Sequence, residues 1–168
     1  MTQEKDRREF LMKAGIGTGI LGIGIQAVAS VRSLVPNVSY DAPTTVKLGL
    51  PTEFPDGLKY LPDQRLFVFR EGNVFHAVSA VCTHLGCTVR AEALSQPQTM
   101  QVEGAPLRVT HRFLCPCHGS VYSGDGGNVS GPAPKPLAWF PLSVALDDGQ
   151  LVVDLAREVS RDFRLTVA

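Results

Sequence analysis

The sequence has few cysteines and histidines and no excess charge of either sign. Its 168 residues include only four cysteines and four histidines, and sixteen basic residues balance sixteen acidic ones. A basic excess would indicate a nucleic-acid partner and a long acidic run would indicate a solvated tail. Neither occurs, so we expect no nucleic-acid partner. Internal repeats and low-complexity segments are also absent, and the length fits one soluble domain with an appendage.

The long uncharged run lies near the N-terminus. Residues 14–31 carry no charge, and their length is close to the lower limit for a transmembrane helix. Basic residues precede this run, and only Arg32 follows it closely, which places the N-terminus in the cytoplasm and the remaining chain outside. Arg7 and Arg8 also resemble the core of a twin-arginine export signal. We therefore predict a single-pass protein of a prokaryotic cytoplasmic membrane with its domain on the periplasmic or extracytoplasmic side. A cleaved signal peptide is the alternative.

These features predict four segments. A cytoplasmic N-terminus with the twin-arginine-like signal covers residues 1–13, and the transmembrane anchor covers 14–32. A linker covers 33–44, because this segment has two prolines, several polar residues and no periodicity. An ordered strap on the domain surface is the alternative for that linker. The soluble domain covers 45–168.

The soluble domain is predicted to be all-β. Twelve prolines and sixteen glycines suit short strands joined by turns, and no long stretch after the anchor has helical periodicity. Residues 45–50 alternate as a strand does, and further strands are predicted at 65–70, 74–80, 107–114, 142–146, 150–154 and 164–167. Glu71-Gly72-Asn73 and Asp147-Asp148-Gly149 are hairpin signals between pairs of these strands. Residues 91–102 have few β signals and are interpreted as an insertion.

Most of the cysteines and histidines lie in two short boxes. The first box is Cys82-Thr83-His84-Leu85-Gly86-Cys87, and the second is Cys115-Pro116-Cys117-His118-Gly119-Ser120. Each box offers one Cys and one His at ligand spacing and one further Cys, so a disulfide between the boxes is an option. A mixed Cys and His set on two irons makes a high-potential 2Fe–2S centre. His76 and His111 lie outside the boxes and are interpreted as structural or surface residues.

The ligand set predicts the redox range by its charge. Four thiolates make an oxidised 2Fe–2S core negative, whereas two thiolates with two neutral imidazoles leave it neutral. An added electron therefore costs less in the mixed site. Such centres have potentials of roughly −150 to +300 mV, against about −400 mV for all-Cys plant-type clusters.

The two boxes resemble those of the Rieske iron–sulfur proteins, specifically the subunit of quinol–cytochrome c oxidoreductases, the cytochrome bc complexes. Gly131-Pro132-Ala133-Pro134 resembles the proline loop that this family places over its cluster. The likeness covers the anchor and most residues from about 65 to 155. It implies an all-β fold, a Rieske-type antiparallel β-sandwich with a small cluster-binding subdomain, preceded by one N-terminal transmembrane helix.

The resemblance also assigns the ligands of one Rieske-type 2Fe–2S cluster. It implies that one iron has two cysteine ligands, that the other has two histidine ligands, and that the two remaining cysteines form a disulfide. The implied thiolate ligands are Cys82 and Cys115, the implied imidazole ligands are His84 and His118, and the implied disulfide joins Cys87 to Cys117.

Further roles follow from the same resemblance. The hydroxyls of Ser120 and Tyr122 are expected to hydrogen-bond a bridging sulfide and a ligand thiolate, which raises the potential. His118 is the expected quinol contact, with His84 beside it as the second residue of proton-coupled electron transfer, and Leu85 is expected to dock on cytochrome b. An ordinary loop leucine is the alternative for Leu85. The implied function is transfer of one electron and a proton from quinol to a c-type cytochrome, as a subunit of a respiratory or photosynthetic quinol–cytochrome c reductase.

One departure from the familiar mitochondrial pattern is the distance between the boxes. Twenty-seven residues separate Cys87 from Cys115. The extra segment, about residues 90–110, is expected to alter a docking surface without disturbing the ligand spacing.

Three other functions remain open. The small Rieske subunit of an arsenite-oxidase-like enzyme usually lacks the Ser/Tyr pair, so Ser120 and Tyr122 disfavour it. An oxygenase-type Rieske ferredoxin is disfavoured by the anchor and by Cys87 and Cys117. A structural zinc site could use the same four ligands.

Overall fold

The structure is a computed structural model that describes residues 2–35 and 44–167. It divides into two compact units, Met1–Ala42 and Pro43–Ala168. Most of the predicted linker, residues 36–43, lies outside the described residues.

The first unit is a helix, α1, over Thr2–Ser33. Its stretch Lys5–Ser33 is long and apolar enough to cross a membrane. The helix begins well before the uncharged run, because the charged segment ahead of that run is also helical. Glu9 and Lys13 form an ion pair of 2.9 Å at i,i+4 spacing, which supports a helix there. Within the apolar run the Thr18 hydroxyl donates to the Ala14 carbonyl at 3.0 Å, so this polar group is satisfied inside the helix.

The second unit contains twelve strands within residues 44–167 and a short 3-10 turn at Pro51–Glu53. The strands are β1 (Thr45–Gly49), β2 (Gly57–Leu61), β3 (Leu66–Glu71), β4 (Val74–Ser79), β5 (Arg90–Val102), β6 (Ala105–Leu114), β7 (Val121–Tyr122), β8 (Asn128–Ser130), β9 (Trp139–Phe140), β10 (Leu142–Val144), β11 (Leu151–Asp154) and β12 (Leu165–Thr166).

These strands form three antiparallel sheets. The first has the order β1-β11-β10, and the second has the order β12-β4-β3-β2 with β9 also paired to β4. The third sheet has the order β5-β6-β7-β8. Each of the seven predicted strands overlaps an observed one.

The second sheet has a hydrophobic core on each face. Along β3, Leu66 and Val68 belong to one core, and Phe67 and Phe69 belong to the other, as side-chain alternation in a strand requires. The first core continues into β10 and β11 of the first sheet, and the second core continues into β6 of the third sheet. Because both faces are buried, all four residues are less than a tenth exposed.

Residues 91–102, interpreted as an insertion in which the sequence predicts no strand, form β structure. This segment belongs to β5, which pairs with β6 from Arg90↔Leu114 to Val102↔Ala105. The register shifts between Ala93 and Gln98, next to Pro97, which cannot donate a backbone hydrogen bond. The extra chain between the boxes is therefore a long hairpin rather than an irregular loop.

The two boxes follow strands of two different sheets. The first box follows β4 and the second directly follows β6. Cys82 and Cys115 both pack in the core between the second and third sheets. The fold therefore sets one cysteine of each box firmly inside the domain.

Candidate metal centre

The first box is a tight loop closed by its own backbone. The N–H of Cys82 donates to the Cys87 carbonyl at 2.8 Å, and the N–H of Gly86 donates to the Cys82 carbonyl at 2.9 Å. Gly86 has φ +75, a conformation that glycine adopts without steric cost.

The second box repeats this loop. The N–H of Cys115 donates to the Ser120 carbonyl at 2.8 Å, and the N–H of Gly119 donates to the Cys115 carbonyl at 3.0 Å. Gly119 has φ +73. Cysteine at position one and glycine at position five of both boxes thus have the same structural role.

The two position-one cysteines are buried and unpaired thiols. Cys82 is 2% exposed and Cys115 is 1% exposed. Burial raises the pKa of the Cys82 thiol, but hydrogen bonds from the Tyr122 hydroxyl and the His84 backbone N–H outweigh it, so the pKa lies below its ordinary value. A lowered pKa favours the thiolate, which is the form that binds metals.

The two box histidines lie next to each other at the surface. The rings of His84 and His118 are 4.9 Å apart and nearly perpendicular. His84 is partly buried, and its Nδ1 is a buried atom without a hydrogen-bond partner. Buried polar atoms normally have partners, so this orphaned nitrogen fits an imidazole that ligates a metal. His118 is exposed.

The remaining two cysteines are joined across the boxes. Cys87 and Cys117 form a disulfide with a Cα–Cα separation of 6.6 Å, within the usual range. The sulfur of Cys115 lies within 4.8 Å of both disulfide sulfurs. Since a disulfide sulfur offers no thiolate, the sulfurs available to a metal in these boxes are those of Cys82 and Cys115.

The Tyr122 hydroxyl points at one of these thiols. Tyr122 is fully buried, and its hydroxyl lies 3.2 Å from the Cys82 Sγ. The Thr83 N–H donates to the same hydroxyl at 3.3 Å, while the Thr83 hydroxyl donates to the Lys135 carbonyl at 2.7 Å. The Tyr122 oxygen thus accepts a hydrogen bond from the Thr83 N–H, and its own hydrogen can be donated to the Cys82 Sγ. Sequence reasoning missed Thr83, although it stands inside the first box.

Ser120, the last residue of the second box, is buried as deeply as Tyr122. It is fully buried, and its Oγ accepts the Ala133 N–H at 3.2 Å. A buried hydroxyl that accepts one bond still has its hydrogen to donate, and a bridging sulfide fits that need. Gly131 packs directly on Ser120, because a Cβ on Gly131 would lie 2.5 Å from the Ser120 Cα. The proline loop, residues 131–134, is therefore in close contact with the second box.

A buried carboxylate holds the loop between β7 and β8. Asp125 is 4% exposed; its Oδ2 accepts a bond of 2.5 Å from Arg161, and its backbone carbonyl accepts the Trp139 Nε1–H at 2.8 Å. The partner Arg161 lies 36 residues away in sequence, and no local sequence pattern indicates this ion pair.

The two other histidines lie outside the centre. His76 is 9% exposed and stacks between Phe69 at 4.7 Å and Trp139 at 4.6 Å. Burial, with the nearby charge of Arg164, lowers the pKa of His76 to about 3. His111 is partly buried, and burial lowers its pKa. Both positions fit the structural interpretation.

Two buried thiols and two imidazoles on neighbouring loops form a mixed Cys/His donor set suited to a metal centre. Residues 44–141 match the family model of the Rieske [2Fe-2S] domain. The chain therefore belongs to the Rieske family, and its cofactor is a 2Fe–2S cluster. The predicted all-β Rieske fold with an N-terminal apolar helix is confirmed, and the zinc alternative is wrong.

Several proteins of similar sequence are named as subunits of a cytochrome complex. The chain is 35% identical to the cytochrome b6-f complex iron-sulfur subunit of Chlorobaculum tepidum over 162 residues, which are 90% of this chain and 76% of that protein. It is 33% identical to the same subunit of Chlorobaculum thiosulfatiphilum, over 84% of this chain and 72% of that protein. Among solved structures, the cyanobacterial plasma membrane Rieske protein from Synechocystis has 23% identity and a TM-score of 0.40, covering 64% of this chain and 97% of that one.

Proposed function

We propose that this chain is the Rieske subunit of a respiratory or photosynthetic cytochrome bc complex, carrying one electron, coupled to a proton, from quinol to a c-type cytochrome. The relatives at 35% and 33% identity are named as subunits of cytochrome b6-f complexes, and this supports the assignment. The chain acts as the electron-transfer component of the quinol–cytochrome c reductase. Its quinol pocket is completed by a cytochrome b subunit.

The proposed ligands are the groups that the two boxes bring together. Cys82 and Cys115 would hold one iron through sulfur, and His84 and His118 would hold the other through nitrogen. Held there, a 2Fe–2S cluster would supply one-electron redox chemistry between quinol and the cytochrome heme. The Cys87–Cys117 disulfide ties the two loops to each other.

One observation carries this function: the centre is sealed on its sulfur side and open on its imidazole side. Both thiols are at most 2% exposed, whereas His118 is exposed and Leu85 beside the first histidine is 70% exposed. A quinol can therefore approach only the imidazole edge of this centre.

The residues at that edge perform the proton chemistry. The exposed ring of His118 would bind the quinol hydroxyl and accept its proton at a ring nitrogen that holds no metal, while the electron would pass to the cluster; His84 would be the second imidazole ligand beside it. Leu85 docks on the apolar surface of cytochrome b and excludes water from the contact. The buried hydroxyls of Ser120 and Tyr122 remain on the far side, where they stabilise negative charge on sulfur.

The proposed topology follows from charge. Residues 1–13 stay in the cytoplasm, 14–32 form the anchor, 33–44 are the linker, and 45–168 are the cluster domain on the periplasmic side of a prokaryotic cytoplasmic membrane. The basic residues ahead of the apolar run support this orientation. The pair Arg7-Arg8 supports export by the twin-arginine route, which carries folded proteins.

The experiment is rapid mixing of membranes that contain the complex with quinol, followed by the paramagnetic signal of the reduced cluster. We expect quinol to reduce the cluster and the c-type cytochrome to reoxidise it. Leu85→Asp should slow reduction by quinol while leaving the cluster signal and midpoint unchanged, and Leu146→Asp, on the fully exposed tip between β10 and β11, is the matched control. A cluster that quinol cannot reduce contradicts the proposal.

A further inference from the structure

Arg65 has an unusual backbone for its residue type. It is the last residue of the turn between β2 and β3 and has φ +49. Its N–H closes that turn on the Pro62 carbonyl at 3.1 Å. A non-glycine residue in this left-handed region costs about 1 kcal/mol. The turn alone is better served by glycine, so the arginine side chain needs another explanation.

The side chain of Arg65 reaches the exit of the first box. Its Nε donates to the Thr88 hydroxyl at 3.2 Å, and its Nη2 donates to the Gly86 carbonyl. These partners are 23 and 21 residues away in sequence. Gly86 lies between His84 and Cys87, so the guanidinium bonds the stretch of loop that carries a proposed iron ligand and one end of the disulfide.

The backbone of Arg65 holds the entrance of the same box. Its carbonyl accepts the Ala80 N–H at 2.7 Å, two residues before Cys82. The Val89 N–H in turn donates to the Ala80 carbonyl at 2.8 Å. One residue therefore fixes both the strand that enters the box and the chain that leaves it.

The second box is supported in a different way. There Gly131 of the proline loop packs against the Ser120 backbone at a distance that leaves no room for a Cβ. The first box, in contrast, receives a hydrogen bond from the Arg65 guanidinium at its Gly86 carbonyl.

We propose that Arg65 is a positioning residue for the cluster: it clamps the first box at both ends and places a fixed positive charge behind it. A positive charge near the centre favours the reduced state, and a clamped loop protects the Cys87–Cys117 disulfide from reductants. This inference rests on the proposed ligand set, but not on the quinol and cytochrome partners.

Two substitutions separate the side chain of Arg65 from its backbone strain. Arg65→Gly relieves the strained φ and removes the guanidinium, whereas Arg65→Lys keeps a charge but cannot bond two acceptors in the same fixed geometry. Arg108→Gln is the matched control, because Arg108 is an exposed arginine paired only weakly, at 3.5 Å, with Glu71.

The readouts are made on the full-length chain in detergent. The first is the cluster midpoint potential, and the second is the rate at which a thiol reductant opens the disulfide in protein without cluster. We expect Arg65→Gly to lower the equilibrium constant for reduction about threefold or more, the size of one partly exposed charge interaction, and to speed disulfide opening severalfold. Arg65→Lys should retain most of the wild-type midpoint potential, but its disulfide should still open faster than that of the wild type.

Several results would overturn the proposal. If Arg65→Gly has the wild-type midpoint and the wild-type rate of disulfide opening, Arg65 is only a turn residue. An equal shift in Arg108→Gln would make the effect one of general surface charge. The disulfide assay needs no cluster, so it decides even where a variant fails to incorporate iron. Failure of quinol to reduce the cluster would leave these results unaffected, and the two proposals therefore fail separately.

Discussion

Replacing Tyr122 with phenylalanine tests how the domain sets the potential of its cluster. The variant removes one hydroxyl and leaves the fully buried ring in place. That hydroxyl lies 3.2 Å from the Cys82 Sγ, and the Thr83 N–H bonded to it directs its hydrogen towards the sulfur. The perturbation is therefore confined to one bond at one proposed ligand.

The expected magnitude follows from the strength of that bond in the two redox states. A hydrogen bond to a charged group contributes about 1.5–3 kcal/mol, and it acts on both states, so only the difference changes the potential. Reduction adds negative charge and strengthens the bond; we take the difference as about 1 kcal/mol. For one electron this corresponds to about 40 mV, and the midpoint of Tyr122→Phe should fall by that order.

The assay is a redox titration of the full-length chain followed by the paramagnetic signal of the reduced cluster. Tyr60→Phe is the matched control, because Tyr60 lies on β2 with 39% exposure and its ring packs at a tilt against that of Phe67, 5.1 Å away. Its midpoint should equal that of the wild type. An unchanged midpoint in Tyr122→Phe with the cluster intact, or an equal fall in Tyr60→Phe, would refute the reasoning.

Three further predictions concern the frame around the centre. First, His76 has a pKa of about 3 in the folded protein against about 6.5 when unfolded, so the unfolded state alone binds its proton between these values. The contribution of His76 to the free energy of unfolding is fully present above about pH 6.5, falls by about 1.4 kcal/mol per pH unit as the pH drops towards 3, and does not fall further below that. In denaturant titrations, His76→Phe should reduce this pH slope by one proton. An identical slope would contradict the assignment. Second, Gly131→Ala should lower both thermal stability and the midpoint, because its Cβ would lie 2.5 Å from the Ser120 Cα. Gly149→Ala, which has φ +71 and meets nothing within 4 Å, should affect stability alone. Third, Arg161→Met leaves the buried Asp125 carboxylate without its charged partner and should lower the free energy of unfolding by about 3 kcal/mol; the loss should shrink when Asp125→Asn is added, and additive losses would argue against the pair.

Features of the fold and site that depend only on nearby residues could be predicted from the sequence. β3 and β4 follow from two short apolar runs around a glycine turn, and the two boxes follow from ligand spacing. The all-β class followed from turn residues and missing helical periodicity. Each of these features depends on residues within about ten positions of one another, which a sequence displays directly.

The long hairpin between the boxes could not be predicted in this way. β5 carries Gln, Ser and Pro residues with little alternation, and most of its side chains are exposed or partly exposed. Its strand conformation depends on pairing with β6 rather than on burial of one face, and β propensity depends strongly on such context. A polar segment that pairs along an exposed hairpin therefore resembles an irregular insertion.

The contacts that frame the centre are long-range and also escaped prediction. Arg65 bonds Gly86 across 21 residues, and Glu103 bonds the Arg161 backbone across 58 residues. Both Arg65 and Glu103 have positive φ, which becomes visible only in the folded chain. Roles for Ser120 and Tyr122 came from resemblance to a family, whereas Thr83 and Asp125 required the structure itself.

The central claim is that two sulfurs from Cys82 and Cys115 and two nitrogens from His84 and His118 hold the cluster asymmetrically. The most direct measurement is electron–nuclear double resonance on the reduced cluster, with the chain labelled by ¹⁵N-histidine. The account predicts couplings from two histidine nitrogens, both lost from the spectrum of a His84→Cys, His118→Cys double variant. No histidine coupling in the wild-type chain, or a single one, would contradict it.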